Sequence, residues 1–237
     1  MVSKVYVIGL GMGNPDTLTC GALRALRESE LVIGSRRLLA GLDDLPARKV
    51  ALVSSRAIAD ELLASDERVA SVVMSGDVGF YSGATALYEL IEGFDVQVIA
   101  GISSLSYLCA QLRTTWQDVY ATSAHGRDCD VVGVVRAHAR TFLLTGGDSS
   151  VESICAELAA HGLGDARVSV GERLSYEDER ITVGTAADFA NAPFDLLAVM
   201  LIERAASTSC EGEGGRCRRQ PRASCSPARP AGVERPR

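Results

Sequence analysis

Six short segments carry the side chains that could do chemistry, and most of them directly follow an apolar run. Gly9-Leu10-Gly11-Met12-Gly13-Asn14-Pro15 comes straight after Val5-Tyr6-Val7-Ile8. Glycines at such a place permit positive φ and a close approach of the backbone to a ligand, or simply a tight strand-to-helix turn. A dinucleotide fingerprint fits poorly. Its third glycine falls on Asn14, and the next apolar run, Leu31-Val32-Ile33, leads into Gly34-Ser35 rather than an acid for a ribose hydroxyl. No Gly-Lys-Ser/Thr is present, so a P-loop is excluded. Val72-Val73-Met74 opens into Ser75-Gly76-Asp77, where Asp77 either accepts hydrogen bonds from a ligand or caps the following turn. Val96-Gln97-Val98-Ile99 is followed by Gly101-Ile102-Ser103-Ser104, whose hydroxyls suit helix capping or ligand contact.

The other three segments lie further along the chain. Ser123-Ala124-His125-Gly126-Arg127 places an imidazole and a cation on a short glycine turn, a combination able to receive an anionic group. Leu143-Leu144-Thr145-Gly146-Gly147 is a further strand-to-turn junction. In residues 170–180, Glu172 and Arg173 either line a site or pair with each other.

The elements that must position these segments alternate. Strands are expected at residues 5–9, 31–33, 72–74 and 96–99, with helices over 18–26, near 84–91 and opening at 101–104. Asp16 or Thr17 can cap the first helix. This alternation predicts an α/β fold with a mostly parallel sheet covered on both faces. After residues 113–118, strands are expected at 119–122, 141–144, 167–170, 180–183 and 196–202, with helices at 131–138, 151–161 and 186–190. The expected organisation is an N-terminal α/β domain over 1–112, a linker at 113–118 and a C-terminal α/β domain with a mixed sheet over 119–205. A tail over 206–237 completes it. Loops at the strand ends of both halves predict a cleft between two lobes.

Composition limits the classes of partner. The 237 residues are 47% hydrophobic, enough for cores in two α/β lobes. No apolar run approaches the roughly 20 residues that span a bilayer, and the N-terminus lacks the pattern of a signal peptide. A cytoplasmic protein is expected. None of the seven cysteines forms a C-x-x-C pair, so reduced thiols are expected and a structural zinc site is not. The formal charge of -6 is uneven: residues 206–237 hold seven arginines against three glutamates, a net +4, which leaves -10 on the rest. An acidic body argues against nucleic acid as a partner. The tail also holds four of the seven prolines and little aliphatic content, so it is expected to be disordered.

Together these segments resemble the tetrapyrrole methylase family over about residues 5–203. The resemblance rests on residues 9–15, Val32-Ile33-Gly34-Ser35-Arg36-Arg37-Leu38, Ser75-Gly76-Asp77, Gly101-Ile102-Ser103-Ser104, residues 123–127 and Gly171-Glu172-Arg173-Leu174. The Gly34-Ser35-Arg36-Arg37 and His125-Gly126-Arg127 pieces are most similar to the branch that methylates carbon 5 of a corrin precursor, precorrin-6Y or cobalt-precorrin-7. The resemblance implies a homodimer of two-domain α/β subunits that use S-adenosyl-L-methionine in cobalamin biosynthesis. It implies Gly9, Gly11, Gly76, Asp77, Ser103, Ser104 and Thr145 at the cofactor. Arg36, Arg37, Arg127 and Arg173 would receive the carboxylates of the tetrapyrrole. His125, as an aid to proton loss, and Arg127 form the candidate catalytic pair. Where the family usually has proline, this chain has Met12, Val78 and Ala100, and each change removes a φ restraint. Relatives fuse this unit to a carbon-15 methyltransferase and decarboxylase, so a separate enzyme of that kind is an expected partner. The rival classes are methylation at another ring position, a dinucleotide-dependent oxidoreductase and a non-catalytic tetrapyrrole carrier.

Overall fold

A computed structural model describes residues 1–126 and 128–204. Arg127 and residues 205–237 lie outside the described residues, and so do the expectations made for Arg127 and for the tail.

The first half builds a five-stranded sheet of order β3-β2-β4-β1-β5. Its strands are β1 (Lys4–Gly9), β2 (Leu31–Gly34), β3 (Arg48–Ala51), β4 (Val69–Met74) and β5 (Asp95–Ile99), and every pairing is parallel. Central β1 and β4 read as continuous apolar runs because both faces are covered. Val5 and Val7 point into one core with Ile58, Leu62, Ala84 and Leu87. Those partners come from α3 (Ser55–Ala64) and α4 (Ala84–Tyr88). Tyr6 and Ile8 point the other way, into a core with Ala22, Leu26, Leu38 and Leu39 of α1 (Cys20–Glu28) and α2 (Arg36–Leu39). Helix α1 is capped by Thr19, whose side chain accepts from Ala22 N–H. Asp16 and Thr17 lie instead in a 3-10 turn, Pro15–Thr17, so the cap falls later than the sequence suggested.

The second half builds a mixed sheet of order β6-β7-β10-β8-β9. Here β6 (Tyr120–Ser123) and β7 (Arg140–Leu144) are parallel, while β8 (Arg167–Glu172), β9 (Arg180–Thr185) and β10 (Ala198–Glu203) run antiparallel to their neighbours. Three helices, α6 (Val131–Ala137), α7 (Val151–Ala160) and α8 (Ala186–Phe189), cover one face through Val135, Ile154, Leu158 and Phe189. Cys155 sits in this core, where burial pushes its thiol up to about 12, so it is an inert packing residue.

The opposite face is covered by α5 (Ser104–Gln111), which leaves the edge of the first sheet and packs Leu105, Leu108 and Cys109 against Phe142, Leu174 and Leu201. Leu108 is fully buried there, and truncating such a leucine costs about 2–5 kcal/mol. One helix thereby fastens the two sheets together. The connection that follows is held by Arg140. Its Nη1 donates to Thr115 O at 2.9 Å and Asp118 Oδ1 at 2.7 Å, and its Nη2 donates to Thr114 Oγ1 at 2.9 Å.

Three glycines meet backbone to backbone at the C-terminal edge of the first sheet. A Cβ on Gly101 would lie 2.2 Å from Gly76 O and 2.6 Å from Gly9 O, and one on Gly9 would lie 2.6 Å from Gly76 O. None of these atoms can swing aside as a side chain can. Gly101→Ala is therefore expected to lower the unfolding free energy by about 3 kcal/mol, read by urea denaturation. Gly41→Ala, whose Cβ would meet nothing within 4 Å, should leave stability unchanged or slightly raised.

Candidate active site

Strands β1 and β4 are neighbours, yet the chain leaves β1 toward the α1 face and β4 toward the α3 and α4 face. Such a reversal opens a crevice beyond the carboxyl ends of the strands, where α/β sheets bind ligands. The two loops are tied across this point. Gly11 N–H donates to Gly76 O at 3.1 Å and Gly76 N–H to Gly11 O at 2.8 Å. Both glycines have positive φ, 68° and 69°. Leu10 N–H donates to Met74 O and Met12 N–H to Thr17 Oγ1, so neither is left for a pyrophosphate. Helix α1 starts only at Cys20, well past the turn. The geometry of a dinucleotide fingerprint is absent here.

Asp77 extends the tie to the third loop. Its Oδ1 accepts from Gly79 N–H at 2.8 Å and its Oδ2 from Gly101 N–H at 3.0 Å. It does cap the following turn, and it also clamps the loop after β4 to the loop after β5. Its charge reaches the neighbouring core: burial first, and then Asp77, raise the pKa of the Tyr88 hydroxyl. Ser103 caps α5 by accepting from Ser106 N–H, which leaves Ser104 facing the crevice.

Two adjoining cavities open from here. One, of about 460 Å³, reaches from Gly76, Asp77 and Phe80 down to Val72, Leu52 and Ile58. The other, of about 470 Å³, runs up to the second sheet, where Thr145, Gly171, Leu174 and residues 196–199 wall it. Met12, Arg37, Ser75, Tyr81, Ser104, His125 and Leu144 border both. Of the residues that the sequence nominated, Gly76, Asp77, Ser104, Thr145, His125 and Arg37 therefore converge on one cleft. Gly9, Gly11 and Ser103 shape its loops without lining it.

The second half contributes in its own way. Thr145 is buried and donates to Ala198 O at 2.8 Å, closing the top of β7 onto β10. His125 is exposed at the border, with Gly146 directly under its ring: a Cβ there would lie 2.0 Å from Nδ1. Glu172 is buried and takes two bonds of 2.6 Å from Arg180 as well as Asp195 N–H at 2.9 Å. Glu172 and Arg173 thus do not pair with each other. Arg173 lies 2.5 Å from Asp178, whose carboxyl it holds below the usual aspartate range, and it does not line the cleft. Arg36 is exposed and also outside the cleft lining. Among the nominated cations described, Arg37 alone borders both cavities. Its Nη1 donates to Tyr176 Oη at 2.6 Å and its Nη2 to Ser75 Oγ at 3.2 Å.

Neither Tyr176 nor Tyr81 is nominated by the sequence, although Tyr176 falls within residues 170–180, singled out there. Tyr81 holds φ at 50° and donates to Ala121 O at 2.7 Å, joining the loop after β4 to β6. A tyrosine in a polar loop gives no periodic signal, and only the folded chain shows what it faces.

The family model for tetrapyrrole (corrin/porphyrin) methylases matches residues 4–190. The chain belongs to the tetrapyrrole methylase family. This methylase is 29% identical to the cobalt-precorrin-7 C(5)-methyltransferase of Salmonella typhimurium, covering 83% of this chain and 98% of that one. It is 25% identical to a probable cobalt-precorrin-7 C(5)-methyltransferase of Methanocaldococcus jannaschii, over 84% and 97% of the two chains. It is 30% identical to a precorrin-6Y C(5,15)-methyltransferase of a Sinorhizobium species, but spans only 49% of that longer protein. Its fold matches the crystal structure of a precorrin-6Y methylase from Archaeoglobus fulgidus with a TM-score of 0.67 at 23% identity, covering 87% of this chain and 100% of that one. It also matches a uroporphyrin-III C-methyltransferase of Thermus thermophilus complexed with S-adenosylhomocysteine, with a TM-score of 0.66 at 25% identity, over 85% and 92% of the two chains.

The Asp77 clamp is made wholly between protein groups, so its loss should be felt in the stability of the chain itself. Asparagine can accept only one of the two N–H bonds and would turn its own NH₂ toward the other. Asp77→Asn is expected to destabilise the ligand-free methylase by about 1–3 kcal/mol, measured by urea denaturation.

Proposed function

We propose that this methylase transfers the methyl group of S-adenosyl-L-methionine to carbon 5 of a corrin precursor, cobalt-precorrin-7 or precorrin-6Y. The reading rests on one observation above the others. The cleft that gathers the strand-end loops of both sheets belongs to a chain that matches carbon-5 enzymes over nearly their whole length.

The cleft fits the cofactor. Its two cavities lie in the size range of small-molecule sites. The upper one pairs apolar walls, Leu144, Leu174 and Val199, with the hydroxyl of Thr145, a setting for a flat heterocycle. Gly76 lines the lower one with open space above its Cα, since an added Cβ would meet nothing nearer than 3.8 Å. Gly76, Asp77, Ser104 and Thr145 hold the cofactor, and Gly9, Gly11 and Ser103 set the loops that carry them. When bound, S-adenosyl-L-methionine supplies a methyl group made electrophilic by its sulfonium. The chain's task is alignment: it fixes an electron-rich ring carbon against that methyl group and needs no nucleophile of its own. Arg37, with Arg127, receives ring carboxylates through charge-assisted hydrogen bonds, while Arg36 lies outside the cleft lining and Arg173 braces the loop beside Tyr176. His125, exposed at the border of both cavities, accepts the proton lost from the ring.

In this reading the two sheets are lobes over 1–112 and 119–205, joined by 113–118, and two subunits form a cytoplasmic homodimer. Among the described residues no helix is long and apolar enough to cross a membrane. The Sinorhizobium relative, of which this chain spans 49%, is named for action at both carbons 5 and 15, which supports a carbon-15 methyltransferase and decarboxylase as a partner activity.

Calorimetry should show saturable binding of S-adenosylhomocysteine and none of NADH. Incubation with S-adenosyl-L-methionine and cobalt-precorrin-7 should then add one methyl group, placed at carbon 5 by NMR. Absence of binding at millimolar ligand sinks the cofactor assignment, and a methyl group at another position sinks the assignment of carbon 5.

A further inference from the structure

Tyr176 stands on a turn that is costly to build. Two residues that lead into it, Arg173 and Ser175, are non-glycine residues in left-handed conformation, with φ of 46° and 71°. Each such residue is strained and persists only where its surroundings hold it. Here Tyr176 N–H donates to Arg173 O at 3.0 Å, Ser175 N–H to Glu179 Oε2 at 2.5 Å, and Arg173 pairs with Asp178. The outcome of this bracing is the placement of one side chain. Tyr176 projects from the second half to the border of the first, where its ring end seats on Gly13: a Cβ on Gly13 would lie 2.6 Å from Oη and 2.8 Å from Cζ. The Arg173 guanidinium covers the ring with its carbon 5.1 Å from the centroid. The phenol is thereby fixed from beneath and from one face, and its hydroxyl is left to meet Arg37.

Arg37 needs such an anchor. It is an exposed arginine on a four-residue helix, and a free side chain of that length loses much rotamer entropy when it binds. Tyr176 takes one N–H of Nη1 and Ser75 one of Nη2. A guanidinium has five N–H donors, so three remain for an anion. The contact does not block Arg37; it holds the fork in one orientation between the two cavities.

We propose that Tyr176 is a positioning residue for the tetrapyrrole: it pre-orients Arg37 across the cleft to receive a substrate carboxylate. This rests on the assignment of Arg37 to substrate in the proposed function and adds a residue, from the other sheet, that makes that assignment effective. Pre-orientation lowers the entropy cost of binding without adding a contact to the ligand.

The test is a coupled pair of variants in the full chain, assayed with cobalt-precorrin-7 and S-adenosyl-L-methionine. Tyr176→Phe keeps the ring on Gly13 and under Arg173 and removes only the acceptor of the Arg37 bond. It is expected to raise KM for the tetrapyrrole about fivefold, with little change in kcat or in S-adenosylhomocysteine affinity. Arg37→Ala should raise KM further, and adding Tyr176→Phe to it should change nothing more. Ser75→Ala, which removes the second anchor, should shift KM in the same direction and gives an independent measure if Tyr176→Phe folds poorly. If Arg37→Ala leaves KM unchanged, the assignment of Arg37 to substrate fails and this inference falls with it. If Arg37→Ala raises KM while Tyr176→Phe does not, or Tyr176→Phe acts equally in both backgrounds, Arg37 stands and the role of Tyr176 is overturned.

Discussion

The cleft depends on one constraint: three loops must pass each other at backbone contact beyond the ends of β1, β4 and β5. Gly9 and Gly101 are glycines because there is no volume for a Cβ beside the Gly76 carbonyl, whereas Gly76 has room for one and is a glycine for its positive φ. Asp77 then converts proximity into a fixed arrangement by accepting one N–H from its own turn and one from the loop after β5. A carboxylate suits this place because it only accepts, so both donors are satisfied at once. Glycines often taken as a ligand cradle are here, first, the condition under which the crevice can exist. Ligand access is what remains once the loops are locked.

From that edge the chain passes directly into the helix that fastens the halves. Ser103 caps α5, Ser104 turns toward the crevice, and Leu105 and Leu108 dive into the face of the second sheet. Cleft lining, cap and lobe contact occupy six successive residues, so a displacement of the second sheet would be felt at Ser104. Two polar straps cross the same gap further out, Tyr81 to Ala121 O and Arg37 to Tyr176. The cleft is thus bounded by an apolar hinge on one side and by hydrogen bonds on the other. Apolar packing sets the separation of the sheets and does not depend on direction. The straps are directional and so can set orientation.

Much of this was legible in the sequence because buried parallel strands announce themselves as apolar runs. Strands β1, β2, β4, β5, β7 and β8 all contain the runs that predicted them, and six nominated residues, Gly76, Asp77, Ser104, Thr145, His125 and Arg37, border the cleft. Strand β3 was missed because Arg48-Lys49-Val50-Ala51 is an edge strand with half-exposed or exposed side chains and no hydrophobic pattern. Helix α3 was missed too, although Ile58 and Leu62 make its buried stripe, because its other positions are small or charged apart from an exposed Leu63. The opposite error occurs at Leu196 and Leu197. They extend the apolar run of β10, but they lie before the strand and wall the cleft, with Leu196 79% exposed. Hydropathy reports that a residue avoids water, not whether a core or a ligand will cover it. The pairing of Tyr176 with Arg37 joins residues 139 positions apart, and local pattern carries no trace of it.

The positions where the family usually has proline show how a backbone restraint can be replaced. Proline fixes φ but has no N–H. Met12 has one, and it donates to Thr17 Oγ1 at 3.1 Å, while the Thr17 hydroxyl donates in turn to Asn14 O at 2.7 Å. The glycine turn folds around this buried threonine, and a proline at residue 12 would leave that oxygen without its donor. At residue 78 the substitute works through packing: the Val78 side chain is buried among Ile58, Ala84 and Leu87, and its carbonyl accepts from the Ser82 hydroxyl. A ring restrains the unfolded chain as well as the folded one, whereas a hydrogen bond or a buried valine acts only once the fold is reached. The two loops therefore keep their shape in the native state by contacts that depend on the rest of the structure. Thr17 and the α3–α4 core become as much a part of the cleft as the residues that line it.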